Sequence, residues 1–286
     1  MYTQSITHNH RTAFILLIDA SGSMSEPIDF RGQSMTKAAA VAAVTNELLF
    51  ELIERARRDD GVRDYYDIAV LSYSGDDEVR SLLPGGRDLL SVRELAGFDC
   101  PLHDETTECR LPDGGISLRY STVPNWIAPR AAGKTPMFGA LCKARELAAA
   151  WCSRPEHAES FPPVVFNITD GEATDCTHEE LLDAARRLQG LGTADGNLLL
   201  VNIHIAAHAA APSIFLPSEE EATALPNRYA ELLCNCSSTM PACFDREIRN
   251  AKQPAARPPF RGFCYNASAT ELLTMLNIGS ISVKTE

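Results

Sequence analysis

Residues 14–24 read FILLIDASGSM, and this stretch decides the fold. Five apolar residues run without interruption into Asp19 and a loop of small polar residues. A short run that lacks alternation of apolar and polar residues is typical of a parallel strand covered on both faces. Two further runs have this form, at Val164–Thr169 and at residues 198–205, and the first of them is also followed directly by an aspartate, Asp170.

Amphipathic segments lie between these strands. Residues 34–57 carry apolar residues at helical spacing, and Ser34 can cap the start of this helix. A second helix is predicted to begin at Pro136, which suits the first helical position. Thr177 and Glu180 form a capping box for a third. Strands that alternate with helices predict an α/β fold with a doubly wound, mostly parallel sheet and helices on both faces.

The segment between the first two helices adds shorter elements. Residues 67–74 are a predicted strand, and residues 78–83 are a shorter one at a sheet edge. Residues 84–133 show little periodicity and are interpreted as an insertion, with a hairpin around residues 113–115.

The chain is therefore divided into two parts. Residues 10–210 form the predicted core domain, which contains the insertion. Residues 211–286 form a C-terminal extension that completes the sheet and the helices. In this extension we expect a helix near residues 219–233, a last strand at residues 260–265 and a final helix capped by Ser268.

The net charge and the hydropathy of the chain limit the classes of partner that we expect it to bind. The chain has 286 residues, and its formal net charge is −12. An acidic surface repels phosphate backbones and anionic membranes, so neither nucleic acid nor a membrane is an expected partner. No stretch approaches the roughly 20 apolar residues of a membrane span. The polar N-terminus lacks the features of a secretory signal, which favours a cytoplasmic location.

Three separated segments bring oxygen-bearing side chains to one sheet edge. Asp19, Ser21 and Ser23 follow the first strand, Thr135 precedes the second helix, and Asp170 follows a later strand. Ligands of such sheets bind beyond the carboxyl ends of the strands. Ligands that are all oxygen suit Mg²⁺ or Mn²⁺ better than zinc or copper. Because hydroxyls are neutral, the ion would keep positive charge and attract a carboxylate from outside.

The order and context of these segments resemble the von Willebrand factor A (VWA) domain and its metal-ion-dependent adhesion site. The resemblance implies that Ser21, Ser23 and sometimes Thr135 contact Mg²⁺ or Mn²⁺ directly. It implies that Asp19 and Asp170 act largely through water. It also implies that a protein partner supplies a Glu or Asp to the sixth position, so that the domain is a metal-dependent protein-interaction module.

The resemblance covers roughly residues 10–210, and within the family the chain is similar to bacterial cytosolic members of the TerY/YegL type. These are associated with tellurite-resistance and stress genes, often beside protein kinases and phosphatases. The implied role is a scaffold or regulator in such a system, with docking onto an ATPase or onto a kinase/phosphatase system as the alternative. Two departures are Lys134, where a second glycine is common, and the long insertion. Lys134 could lower the affinity for the metal.

An enzyme is the less favoured hypothesis. A metal-dependent phosphohydrolase could use the same ion to activate water. Aspartate-dependent phosphatases, however, need a second acidic residue two positions after the nucleophile, and here that residue is Ser21. The sequence contains neither a phosphate-binding glycine-rich loop nor a nucleophile elbow. We therefore expect a non-enzyme.

Cysteines and histidines suggest weaker metal sites. A structural Zn²⁺ would need four thiolates, but the spacing of the C-terminal cysteines is irregular and favours free thiols. These cysteines are Cys234, Cys236, Cys243 and Cys264. Cys100, His103 and Cys109 are a second weak candidate, and a solvated loop is the plainer interpretation. His204 and His208 are interpreted as structural.

Overall fold

A computed structural model describes residues 1–30, 32–76, 78–99, 101–110, 116–205, 213–252 and 256–280. In these residues the main feature is an eight-stranded sheet. Its strands are β1 (Thr12–Asp19), β2 (Tyr66–Ser74), β3 (Glu78–Ser81), β4 (Leu90–Ser91), β5 (Val164–Thr169), β6 (Leu199–Ile205), β7 (Ile214–Phe215) and β8 (Phe263–Ala267).

The strand order across the sheet is β7-β8-β6-β5-β1-β2-β3, and β4 also pairs with β2. The five strands from β8 to β2 are mutually parallel, whereas β3, β4 and β7 are antiparallel. The predicted α/β class with a mostly parallel sheet is therefore confirmed.

Helices cover both faces of this sheet. In the described residues they are α1 (Lys37–Ala56), α2 (Val92–Ala96), α3 (Met137–Cys152), α4 (His178–Gln189), α5 (Arg228–Cys236), α6 (Asp245–Ala251) and α7 (Ala269–Ser280). Helices α1, α2, α6 and α7 pack on one face, and α3, α4 and α5 pack on the other. None of these helices has the length and apolarity to cross a bilayer.

The apolar run of β1 explains why the sheet needs two helical layers. Side chains of a strand alternate between its faces. Phe14, Leu16 and Ile18 enter the core beneath α1, whereas Ile15 and Leu17 enter the core beneath α3. All five are buried, and burial of each such side chain contributes about 1.5–3 kcal/mol.

The predicted start of the first helix, at residue 34, is corrected. Gln33–Thr36 pairs with Pro27–Phe30 in an antiparallel hairpin, so α1 begins at Lys37. Thr36, not Ser34, caps the helix by accepting a hydrogen bond from a backbone N–H of its first turn. The hairpin turns at Gly32, which has φ of +79° and whose N–H donates to Asp29 Oδ1 at 3.1 Å.

The predicted helix at residues 219–233 is wrong as one element. It is split into a short 3₁₀ turn, Glu221–Ala224, and α5. Pro226 removes a backbone donor, and Asn227 then caps α5 by accepting from the backbone N–H of Ala230 at 2.8 Å. The last strand, predicted at residues 260–265, is shifted toward the C-terminus and is β8.

Several other predictions are confirmed. The capping box of Thr177 and Glu180 is complete, and Ser268 caps α7 in the same way with Glu271. In the predicted insertion, Leu102–Arg110 pairs with Ile116–Pro124 as a hairpin, and the predicted turn at residues 113–115 lies outside the described residues. The insertion also contains β4 and α2, which pack onto the sheet.

Candidate metal-binding site

The site lies where β1 and β5 end side by side. The two strands are parallel neighbours, with Ile18 paired to Ile168, so their carboxyl ends reach the same edge of the sheet. Asp19 is the last residue of β1, and Asp170 follows β5 directly. The arrangement places two carboxylates beside each other, as the strand-end rule predicts.

The loop after β1 brings two hydroxyls near Asp170, and one of them contacts it. The backbone N–H of Ser21 donates to Asp19 Oδ1 at 2.8 Å, and this bond folds the loop back over the strand end. The Oγ atoms of Ser21 and Ser23 are 3.1 Å apart, and Ser23 donates to Asp170 Oδ1 at 2.6 Å. The four residues therefore form one continuous hydrogen-bonded group.

Thr135 brings a third hydroxyl to the same place. A side chain added at Gly171 would lie 3.8 Å from Thr135 Oγ1 and 4.0 Å from Ser23 Oγ, so both hydroxyls face this glycine. Thr135 is itself buried, and its backbone N–H donates to Thr174 Oγ1 at 3.0 Å. All five predicted residues thus converge at one edge of the sheet.

Backbone hydrogen bonds hold the loop after β1 against the loop before α3. The N–H of Gly22 donates to the carbonyl of Gly133 at 2.9 Å, and the N–H of Ala132 donates to the carbonyl of Ala20 at 2.7 Å. Gly133 has φ of +80°, and a Cβ there would lie 2.7 Å from the Cα of Gly75. A glycine is therefore required at this position by both its backbone angle and its close approach.

Asp19 is buried, and this burial determines its electrostatics. The hydroxyl of Thr169 donates to Asp19 Oδ2 at 2.7 Å, so both carboxylate oxygens accept hydrogen bonds. Burial raises the pKa of Asp19, and the nearby charge of Asp170 adds to this effect, while the hydrogen bonds from Ser21 and Thr169 oppose it. A cation between the two carboxylates would relieve this unfavourable charge.

Two charged residues of the site were not predicted from the sequence. The ammonium of Lys37 lies 2.7 Å from Asp170 Oδ2 and 2.7 Å from Glu26 Oε2. The signal in the sequence was the position of Lys37 four residues before Val41, on the face of α1 that is buried. A lysine on a buried helix face needs a partner, and the partner here is a predicted metal-site residue.

A cleft of about 420 Å³ borders the site. Its walls include Asp170, Glu172, His204, Tyr229 and Tyr265. The His204 ring stacks on Tyr265 with centroids 4.5 Å apart, and burial lowers the pKa of His204 to about 4. The Tyr229 hydroxyl donates to the carbonyl of Gly171. His204 is thus a neutral wall residue, whereas His208 lies outside the described residues.

The donor set fits a small hard cation. Two adjacent ligands of an octahedral Mg²⁺ at 2.0–2.1 Å are about 3 Å from each other. The 3.1 Å between the hydroxyls of Ser21 and Ser23 matches this spacing. Across the described residues, no group of three or more His, Cys, Asp or Glu side chains is placed to hold a metal ion. A metal site in these residues would therefore need ligands of other types as well, such as the hydroxyls of Ser21, Ser23 and Thr135.

Of the two weaker candidate metal sites, the structure describes the C-terminal cysteines but not the side chains of the other group. Burial raises the pKa of all four C-terminal thiols, that of Cys236 to about 12, and in the described residues these cysteines form no group placed to hold a metal ion. Cys100 and the side chains of His103 and Cys109 lie outside the described residues. Lys134 is paired with Asp76 at 2.8 Å and is mostly exposed.

No protein-family profile and no curated protein matches this sequence. Among solved structures, the chain is similar to a von Willebrand factor type A protein from Catenulispora acidiphila, with 17% identity and a TM-score of 0.42. The match covers 69% of this chain and 34% of that one, so this chain spans about a third of its length. It is also similar to the vWF domain of the type V pili tip protein Mfa5 from Porphyromonas gingivalis. There the identity is 10% and the TM-score 0.44, over 97% of this chain and 98% of the other.

Proposed function

We propose that this chain is a VWA-type interaction module that captures a protein partner through a Mg²⁺ or Mn²⁺ ion. One observation carries the proposal. The hydroxyls of Ser21 and Ser23 lie 3.1 Å apart, and Ser23 is hydrogen-bonded to Asp170 at the shared end of two parallel strands. This hydrogen-bonded spacing is also compatible with neighbouring ligands around one small cation.

Each residue of the site has a role in this proposal. Ser21, Ser23 and Thr135 hold the ion, and Asp19 and Asp170 lie behind them as charge-balancing groups. The bound ion supplies a Lewis-acid contact for an incoming carboxylate. Because the three direct ligands are neutral, the ion keeps enough positive charge to attract a Glu or Asp of the partner.

The neighbouring cleft gives the partner room beside its acid group. It opens at Asp170 and is walled by Tyr229, Tyr265 and the neutral His204, which can pack against residues that flank the carboxylate. Aromatic walls of this kind are common in protein interfaces, since they bury area with little loss of side-chain freedom.

The wider setting rests on the sequence resemblance alone. We propose a bacterial cytoplasmic scaffold or regulator of the tellurite-resistance or stress type. Its partners would be a kinase, a phosphatase or an ATPase component, and neither nucleic acid nor a membrane. A non-enzymatic role is part of the proposal, because Ser21 stands where a phosphatase would need its acid.

Metal binding by the purified protein tests the site directly. Titration with Mn²⁺, followed by the loss of the free-ion EPR signal, should show one site in the wild type. Ser21→Ala should weaken binding at least tenfold, because it removes a direct ligand, and Asp19→Asn should weaken it by removing charge. Ser153→Ala removes an exposed hydroxyl bonded to the carbonyl of Ala150 and is the matched control. Equal Mn²⁺ affinity in the three variants and the wild type would exclude this site.

Partner capture then tests the function. Bait protein in native lysate should retain its partner with Mg²⁺ present and release it in EDTA. The Ser21→Ala bait should lose the partner in both buffers, while circular dichroism shows that the fold is kept. Capture that is indifferent to both EDTA and Ser21→Ala would contradict a metal-dependent interaction.

A further inference from the structure

Lys37 is a buried cation at the edge of the proposed metal site. Its side chain is 2% exposed, and its ammonium contacts two carboxylates, those of Asp170 and Glu26, each at 2.7 Å. The Asp170 side chain is fully buried, whereas the Glu26 side chain is 52% exposed. The Lys37–Asp170 contact is therefore a buried ion pair, and Glu26 forms its solvent-facing side.

The local fold opposes a lysine at this position. Lys37 is the first residue of α1, where the helix dipole disfavours positive charge, and burial of an ammonium is costly. Two carboxylates within hydrogen-bond distance, those of Asp170 and Glu26, stabilise the charged form of this lysine. The hairpin before α1 returns the chain to its start, and the N–H of Lys37 donates to the carbonyl of Glu26. The ammonium is therefore fixed in position and charged.

The ion pair with Lys37 neutralises Asp170, a carboxylate that a bound metal ion would need for charge balance. Asp170 Oδ1 accepts from Ser23, and Asp170 Oδ2 accepts from Lys37. A divalent ion held by neutral hydroxyls relies on Asp19 and Asp170 for balance. Lys37 already neutralises one of these two carboxylates, and its like charge repels a cation placed beside Ser23.

We propose that Lys37 is a tethered cation that keeps this site assembled without a divalent ion and weakens the binding of that ion, so that ion and partner carboxylate bind together. The inference rests on the proposed function. An incoming carboxylate restores the negative charge that Lys37 removes. The ion is then held firmly only in the complex with the partner.

Neutral substitutions of Lys37 test the proposal. In Mn²⁺ titrations, Lys37→Met and Lys37→Gln should each bind about tenfold or more tightly than the wild type, since a like charge is removed within a few ångströms of the ion. The Gln variant keeps a polar, uncharged side chain beside Asp170, which provides a second variant if the Met form does not fold. Lys143→Met is the matched control, because it removes the same charge from a surface pair with Asp88.

Thermal melting in EDTA tests whether Lys37 keeps the site assembled when no divalent ion is bound. Lys37→Met should melt several degrees below both the wild type and Lys143→Met, because Asp170 is then buried without a counter-charge. The deficit should shrink when Mn²⁺ is added. Equal melting temperatures for the two variants in EDTA would overturn this half.

The titrations separate this inference from the proposed function. If the wild type binds Mn²⁺ and the Lys37 variants bind it with unchanged or lower affinity, the role of Lys37 is wrong and the metal site stands. If only the Lys37 variants bind Mn²⁺, Lys37 replaces the ion and the metal-dependent function is wrong. If no variant binds Mn²⁺, both are wrong.

Discussion

His157 shows at the scale of one residue how burial sets a pH response. Its ring stacks on Trp151 with centroids 3.9 Å apart, and its Nδ1 lies 2.9 Å from the Trp151 carbonyl. Burial lowers the pKa of His157, and the hydrogen bond to Trp151 and the charge of Asp67 oppose this shift. The protein therefore folds around a neutral imidazole.

The sign of the pH dependence follows from this lowered pKa. Below pH 6.5 the unfolded chain protonates His157, while the folded protein does not until a lower pH is reached. The contribution to stability is thus complete above pH 6.5 and is lost as the pH falls toward the folded pKa. His157→Phe should flatten the decline in unfolding free energy by at most about 1.4 kcal/mol per pH unit.

Urea denaturation at several pH values between 5 and 7.5 measures this slope. A phenylalanine ring should keep the stack on Trp151, and in the wild type the Trp151 carbonyl also accepts from the backbone N–H of Ser153. The exposed His178→Phe variant controls for the loss of a histidine elsewhere. An unchanged slope in His157→Phe would show that another group dominates.

At the scale of elements, the site depends on how closely two loops approach. The loop before α3 touches the loop after β2 at Gly133 and Gly75, and it also accepts the hydrogen bond from Gly22. Any Cβ at Gly133 separates these loops and moves the segment that carries Thr135.

Gly133→Ala should therefore cost more than backbone strain alone. Gly86 also has positive φ, +66°, but a Cβ there meets nothing within 4 Å, so Gly86→Ala isolates the strain at about 1 kcal/mol. Gly133→Ala should lose a further 1–3 kcal/mol, about the cost of overpacking, and should also weaken Mn²⁺ binding. Chemical denaturation of both variants measures the difference, and equal losses would argue against the close contact.

Elements with a strong local pattern were predictable from the sequence, and those set by distant contacts were not. The apolar runs of β1 and β5 and the capping box at Thr177 were sufficient for those elements. The hairpin before α1 was not predicted, although Asp29 and Gly32 mark its turn, because its four-residue strands are too short to show a period of their own. Pro226 does indicate a helix break in the sequence, but apolar residues at helical spacing continue on both sides of it.

The meeting of the two aspartates of the site was predictable because both lie at the ends of buried strands. Strand ends fix where Asp19 and Asp170 lie, so the meeting of these residues follows from topology. Lys37 and Thr169 depend instead on where a helix face and a strand side chain point once the sheet is assembled. Spacing along the chain places Lys37 on the buried face of α1, but it does not identify the partner that the side chain meets there.

At the scale of the whole molecule, the C-terminal extension shares the cores of the rest of the chain. Strand β8 pairs with β6 in parallel, and α7 packs against α1. Leu276 lies in the core on one face of the sheet, and Phe263 and Leu233 lie in the core on the other. The two predicted parts of the chain are thus joined through both layers.

We expect the intact chain to unfold in one cooperative transition. Loss of β8 and α7 would expose apolar side chains on both faces of the sheet, so neither part is stable without the other. Thermal melting followed by far-UV circular dichroism and by fluorescence of Trp126 and Trp151 should give coincident curves. Two separated transitions would show that the extension is an independent domain.

The hairpin of Pro27–Phe30 and Gln33–Thr36 has a consequence for where the chain can tolerate insertions. Its base is closed by the pairing of Pro27 with Thr36 and by the bond from Lys37 to Glu26. A loop pinned at its base can gain or lose residues beyond that point without moving what the base holds. The hairpin is thus a place where the chain could change in length while Lys37 keeps its contacts with Glu26 and Asp170.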